Sequence, residues 1–238
     1  MLEPDRRRAR PLWLVLAATL AAALGIAPAP NAAALEPPVS TIVILARHGA
    51  SAFDPAAPRV AEPDPPLSEL GRDQAAALAE LARAQGVTRL FCSPLLRARQ
   101  TAEIVSRALD LSPVVVEGFA EFDVGDLNGK DWSQSPYREQ LQALLSDPEH
   151  KRPGGESFLE LEARATAAFR ELVASHPGET ILIVGHGVIN RALIGLARGL
   201  SSAAAYALPS QPHTQAYRIE WTGAIPAPKQ SLEYDSAD

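Results

Sequence analysis

Apolar positions along this chain switch repeatedly between two spacings. Residues 40–46 (STIVILA) form an unbroken β-branched and apolar run, the pattern of a strand buried on both faces. Residues 68–85 carry apolar side chains at helical spacing, with Ser68 placed to cap the start and Gly86 to stop the end. The same reading predicts a strand over 87–92, a helix over 94–109, a short strand over 114–116 and a long amphipathic helix over 157–176. Residues 180–184 read as a second strongly buried strand, 188–198 as the helix behind it, and 215–221 as an alternating strand at a sheet edge.

Strand–helix–strand order with apolar strands predicts an α/β fold, a three-layer sandwich whose helices cover both faces of a mostly parallel sheet. Two stretches break the rhythm. Residues 52–66 hold five prolines, and 123–155 mix polar, Gly and Pro residues around a short helix near 137–145. Irregular segments of this length in a compact domain are a mark of function or disorder. Trp132 and Tyr137, in the second stretch, are candidates to line a pocket. The pattern assigns one domain to residues 35–222 and a flexible acidic tail to 223–238.

The N-terminus has a different character. Arg6, Arg7, Arg8 and Arg10 precede an uncharged apolar run over 11–27, then small residues and prolines that include Ala32-Ala33-Ala34. This is the basic, apolar and small-residue succession of a secretory signal, so residues 1–34 are expected to be removed and the domain to be exported, periplasmic or secreted. Left uncleaved, the same run would act as an anchor at the short limit of a membrane span; otherwise no membrane partner is expected. The whole chain has 22 Lys+Arg against 28 Asp+Glu, a net charge of −6. Removing 1–34 takes four arginines but only Glu3 and Asp5, leaving the domain more acidic still. Such a balance argues against a nucleic-acid partner. The one cysteine, Cys92, excludes a disulfide scaffold and a cysteine-rich zinc site, and no cofactor or metal is expected.

In open α/β sheets, ligands bind beyond the carboxyl ends of the strands. Here the expected strands end in Arg47-His48-Gly49, Ser93-Pro94-Leu95-Leu96-Arg97 and Gly185-His186-Gly187, and the short third strand leads through 117–120 to Glu121. Two His, two Arg and one Glu would thus meet at one rim. Arginine offers forked donors that match phosphate oxygens. A neutral imidazole is a competent nucleophile, and a carboxylic acid can protonate a leaving oxygen. The set reads as phosphoryl transfer through a phosphohistidine.

These residues stand in motifs. Leu45-Ala46-Arg47-His48-Gly49-Ala50-Ser51 resembles the RHG signature of the histidine phosphatase, or phosphoglycerate-mutase-like, superfamily. Pro65-Pro66-Leu67-Ser68-Glu69-Leu70-Gly71 with Gln74-Ala75 resembles that family's PLTxxGxxQA segment, and Ser93-Pro94-Leu95-Leu96-Arg97-Ala98-Arg99-Gln100-Thr101-Ala102 its SPLxRAxQTA segment. Glu121-Phe122-Asp123-Val124-Gly125 with Gly129, and Val184-Gly185-His186-Gly187, are similar to its glutamate and second-histidine motifs. Each is weak alone; five in family order over about 41–200 are specific. The resemblance implies that His48 accepts the phosphoryl group, that Arg47, Arg97 and His186 grip it, and that Glu121 donates the proton. Gly49 and Gly187 would let backbone approach the ligand, with the amide end of the helix at Gly187 favouring its charge. Ser51 and Asp54 are candidate substrate contacts, and His213 a lesser one.

Departures bear on the substrate. Mutases of this family carry Asn six residues after the first histidine and two after the second; this chain has Asp54 and Val188 there. Ala50 replaces a common Glu. A carboxylate at Asp54 would repel a second anionic group. The expectation is an exported phosphomonoesterase acting on a small phosphorylated substrate. The alternatives are mutase-type phosphoryl transfer and a catalytically idle phospho-ligand binding domain.

Overall fold

The computed structural model describes residues 39–52 and 64–222 and the backbone of 230–233. The expected signal over 1–34, Asp54 and most of the expected tail lie outside the described residues. Six strands form one sheet: β1 (Thr41–Arg47), β2 (Arg89–Cys92), β3 (Pro113–Val115), β4 (Thr180–Gly185), β5 (Gln215–Trp221) and β6 (Gln230–Glu233). Between them lie α1 (Glu69–Ala84), α2 (Leu96–Leu109), α3 (Tyr137–Ser146), α4 (Phe158–Ser175), α5 (Gly187–Arg198) and α6 (Ser202–Tyr206). The strand order is β3-β2-β4-β1-β5-β6, with the first four mutually parallel, β5 antiparallel to β1 and β6 antiparallel to β5.

Alternation along the strands divides the core in two. Val43, Leu45, Phe91, Ile181 and Ile183 join Phe158, Leu161 and Phe169 of α4 and Ile189 and Leu193 of α5. Ile44, Ala46, Leu90, Cys92, Leu182 and Val184 join Leu78 and Ala82 of α1 and Ala98, Ala102 and Val105 of α2. Both faces of the sheet are therefore covered, which is why β1 and β4 read as continuous apolar runs. Each Leu or Ile so buried contributes roughly 1.5–3 kcal/mol.

Local signals explain the helix ends. The Ser68 hydroxyl accepts from the Gly71 N–H at 3.0 Å, and Gly86 turns the chain with φ of +68°. Ser157 and Glu160 form a reciprocal capping box at the start of α4.

Two expectations are corrected. β5 is not an edge strand, because it lies between β1 and β6. Residues 230–233, read as part of a flexible tail, supply β6 and pair with β5 over Gln215–Arg218. Their sequence, QSLE, is too short and too polar to announce a strand; the pairing comes from the open edge that β5 presents.

Register sets the site. Ala46 pairs with Val184 and Val184 with Cys92, so three parallel strands end level. The His48 N–H donates to the Gly185 carbonyl at 3.0 Å and the Ser93 N–H to the Val184 carbonyl at 3.1 Å, continuing the ladder one step past the strands.

Candidate active site

At that rim a cleft of about 520 Å³ opens, lined by Arg47, His48, Arg97, Glu121, Asp123 and Trp132 among others. Ser51 also lines it, as expected. His186 and Gly187 do not: both are buried, with His186 behind His48 at a ring-centroid separation of 4.9 Å. Tyr137 packs on the core, whereas Trp132 does reach the cleft.

His48 is 4% exposed. Its Nδ1 lies 2.7 Å from the Gly49 carbonyl, which can only accept, so Nδ1 carries the proton and the lone pair is on Nε2. Nε–H of Arg97 donates to that Nε2 at 3.2 Å. Burial, reinforced by Arg97 and Arg47, pushes the His48 imidazole down to about 2, against the opposing bond to Gly49. The ring is neutral at any ordinary pH.

His186 is held well below the usual imidazole range by burial and by the neighbouring His48, Arg97 and Arg47. Its Nε2 is 2.6 Å from the Ser93 hydroxyl, which itself accepts from the Leu95 N–H at 3.2 Å. The Ser93 hydroxyl can donate to Nε2 or accept from it, so this contact serves either tautomer of His186. Among the described residues, the His186 Nδ1 and the Arg47 Nε are buried without a hydrogen-bond partner. A buried donor left unpaired, as the Arg47 Nε–H is, costs about 1–3 kcal/mol, which an oxygen-rich anion would recover. Arg47 is otherwise fixed, donating from Nη1 to the Ser210 hydroxyl and the Gln211 carbonyl at 3.1 and 3.0 Å.

Glu121 revises one expectation. Its carboxylate accepts from the N–H groups of Val188 and Ile189, both at 3.1 Å, and from Phe122 at 2.9 Å. The amide end of α5 is thus occupied by a side chain of the protein, not left for a ligand. A Cβ at Gly187 would lie a tight 3.0 Å from the Ser210 hydroxyl and in ordinary contact with the Arg47 guanidinium carbon at 3.6 Å and Glu121 Oε2 at 3.7 Å. Gly49 is a packing glycine, since a Cβ on it would come within 2.1 Å of the Gly71 carbonyl oxygen.

Several residues hold the site without having been assigned a role. Thr101 accepts from the Gly49 N–H at 3.1 Å and donates to the Arg97 carbonyl at 2.8 Å, tying the loop after His48 to the start of α2. Gln74 accepts from the Ala50 N–H at 2.8 Å. Both stand inside the motifs quoted above, which was their available signal. Arg164 binds Glu156 through two bonds of 2.9 and 2.7 Å and reaches the carbonyls of Gly118 and Glu121, fixing the glutamate loop. Nothing in the local sequence marks it. His213 hydrogen-bonds the His48 carbonyl through Nδ1, and its ring centroid lies 5.1 Å from that of His48.

Known proteins are similar to this chain in sequence and fold. "Bifunctional protein Rv2228c" of Mycobacterium tuberculosis is 32% identical over 171 residues, covering 71% of this chain. The match spans only 47% of that protein, about half its length. "Probable phosphoglycerate mutase GpmB" of Yersinia pestis is 33% identical over 165 residues, covering 68% of this chain and 77% of its own. Among solved structures, mycobacterial glucosyl-3-phosphoglycerate phosphatase Rv2419c superposes with a TM-score of 0.66 at 26% identity, over 76% of this chain and 90% of that one. Residues 43–230 match the family model of the histidine phosphatase superfamily, branch 1, and with the rim of His48, Arg47, Arg97, Glu121 and His186 already in view, the chain belongs to that superfamily.

Proposed function

We propose that this protein hydrolyses phosphate monoesters by passing the phosphoryl group through Nε2 of His48. The observation that carries this reading is the state of that imidazole: buried, neutral, with its proton committed to Gly49 and its lone pair turned to the cleft-lining Arg97. Arg97 restrains the lone pair until a phosphoryl group offers its guanidinium a better acceptor. Nε2 then attacks phosphorus, the P–N bond forms and the ester P–O bond breaks. Glu121 protonates the departing oxygen, and afterwards takes a proton from the water that displaces phosphate from His48. Arg47 and Arg97, which line the cleft, meet the charge spread over the equatorial oxygens. Ser51 borders the entry. The expected result on a panel of phosphate monoesters is release of inorganic phosphate. Conversion to a positional isomer without release would make the protein a mutase, and no turnover on any ester would make it a binding domain.

His213 is expected to position the nucleophile. Losing its bond to the His48 carbonyl should lower kcat about tenfold in His213→Ala, in line with one net hydrogen bond of about 1–1.5 kcal/mol. KM should change little, and His213→Asn, which keeps a donor at the same reach, should restore most of kcat. Equal losses in both variants would make the role one of bulk packing.

The domain is also proposed to act outside the cytoplasm, on the strength of the basic, apolar and small-residue succession over 6–34. Mass spectrometry of protein recovered from the cell envelope or medium should find a chain starting at Leu35. Full-length protein confined to the cytosol would overturn this.

A further inference from the structure

The cleft, about 520 Å³, is far larger than a phosphoryl group, and its lining carries charges of both signs. Among the described residues its cations are Arg47 and Arg97, both beside His48. A phosphoryl group seated for attack by His48 engages both. The segment between β3 and α3 also lines the cleft, as a wall that presents Phe122, Asp123, Val124, Asn128 and Trp132. This wall carries one negative charge, no positive charge, and an aromatic face.

That wall is held in place before any substrate arrives. Asp123 Oδ1 accepts from the Gly125 N–H and from Asn128 Nδ2, both at 2.9 Å, leaving Oδ2 for a further donor. The Asp123 backbone is paired with Glu156 in both directions, N–H to Oε1 at 3.1 Å and carbonyl from the Glu156 N–H at 3.0 Å. Glu156 is in turn clamped by Arg164. Gly125 and Gly155 pack backbone to backbone, so that a Cβ on Gly125 would meet the Gly155 nitrogen at 2.6 Å. Trp132 is anchored by its indole N–H to the Leu127 carbonyl at 2.9 Å. A carboxylate fixed this way cannot turn aside for an anionic neighbour without breaking its own bonds.

We infer that this wall of the cleft selects monoesters of uncharged, hydroxyl-bearing alcohols and rejects those with a second phosphate or carboxylate. Hydroxyls supply donors to Asp123 Oδ2 and Asn128 Oδ1, and the C–H face of such an alcohol packs on Trp132 and Val124. A second anion would face Asp123 with neither arginine left to compensate it. This rests on the phosphatase reading above and adds the class of alcohol to it.

The test compares sn-glycerol 3-phosphate with 3-phosphoglycerate, which share a carbon skeleton and differ in a hydroxymethyl group against a carboxylate. Like charges across a solvent-accessible cleft should cost roughly three- to tenfold. The wild-type protein is therefore expected to favour glycerol 3-phosphate in kcat/KM by about that factor, chiefly through KM. Asp123→Asn should bring the ratio towards one, and Asp123→Lys should invert it. A wild-type preference for 3-phosphoglycerate, a ratio unmoved by Asp123→Lys, or no release from glycerol 3-phosphate while p-nitrophenyl phosphate is hydrolysed would each overturn the inference. No turnover of p-nitrophenyl phosphate either would overturn the phosphatase reading beneath it.

Discussion

His48→Ala is expected to lower phosphate release by about 10⁴-fold or more, the scale on which removal of a covalent nucleophile acts. The loss should appear in kcat with any substrate, good leaving group or poor, because every turnover passes through the same P–N bond. Acid quenching of the wild-type protein during turnover should trap an acid-labile phosphoryl adduct, and the variant should yield none. Retained adduct in His48→Ala would move the nucleophile elsewhere, with His186 the first residue to examine. A stability measurement supplies an independent check. The folded His48 imidazole is pushed down to about 2 while the unfolded one titrates near 6.5, so between these values the unfolded chain binds more protons. Folding stability should then fall as pH drops below about 6.5, and His48→Ala should flatten part of that slope. Denaturant midpoints at pH 7 and pH 5 for both proteins measure it.

Glu121→Gln is expected to separate substrates by their leaving groups. An alkoxide leaves poorly and needs its proton in the transition state; p-nitrophenolate hardly does. General acid catalysis typically contributes ~10²–10⁴-fold, and the variant should lose that factor on alkyl phosphates and clearly less on p-nitrophenyl phosphate. The geometry names the oxygen concerned. Oε1 accepts two backbone N–H groups, from Phe122 and Ile189, whereas Oε2 accepts one, from Val188. Oε2 is the freer position for a proton. The substitution also disturbs the cap on α5, but that damage falls on both substrates alike and cancels in their ratio. Asp123→Asn is the comparison, read on simple alkyl phosphates that carry no further hydroxyl: it lines the same cleft, yet its loss there should not grow with leaving-group pKa. If the selective loss appears in Asp123→Asn and not in Glu121→Gln, the acid is misassigned. If it appears in neither, the proton comes from water or from the substrate.

The layered fold was legible because burial on both sides of a parallel sheet demands continuous apolar runs, and covering helices demand apolar stripes. Both are periodic, and periodicity survives in a one-dimensional string. The strand-end chemistry was legible for a related reason. Parallel strands bring their carboxyl ends to one rim, so Arg47, His48, Arg97 and His186 could be assembled from topology before any coordinates. Other features have no local signature. That β5 is covered by the polar β6, that Gly49 yields to the backbone of Gly71, and that Glu121 rather than a ligand caps α5 all depend on contacts between distant parts of the chain. The same is true of His213 beside His48, 165 positions away in sequence, and of Arg164 behind the glutamate loop. Such contacts are settled by strand register, side-chain volume and the need to pair every buried polar group, which only close packing in three dimensions imposes. The sequence thus determined the layers and the residues gathered at the rim, and the tertiary structure decided which atoms of those residues are paired within the protein and which line the cleft.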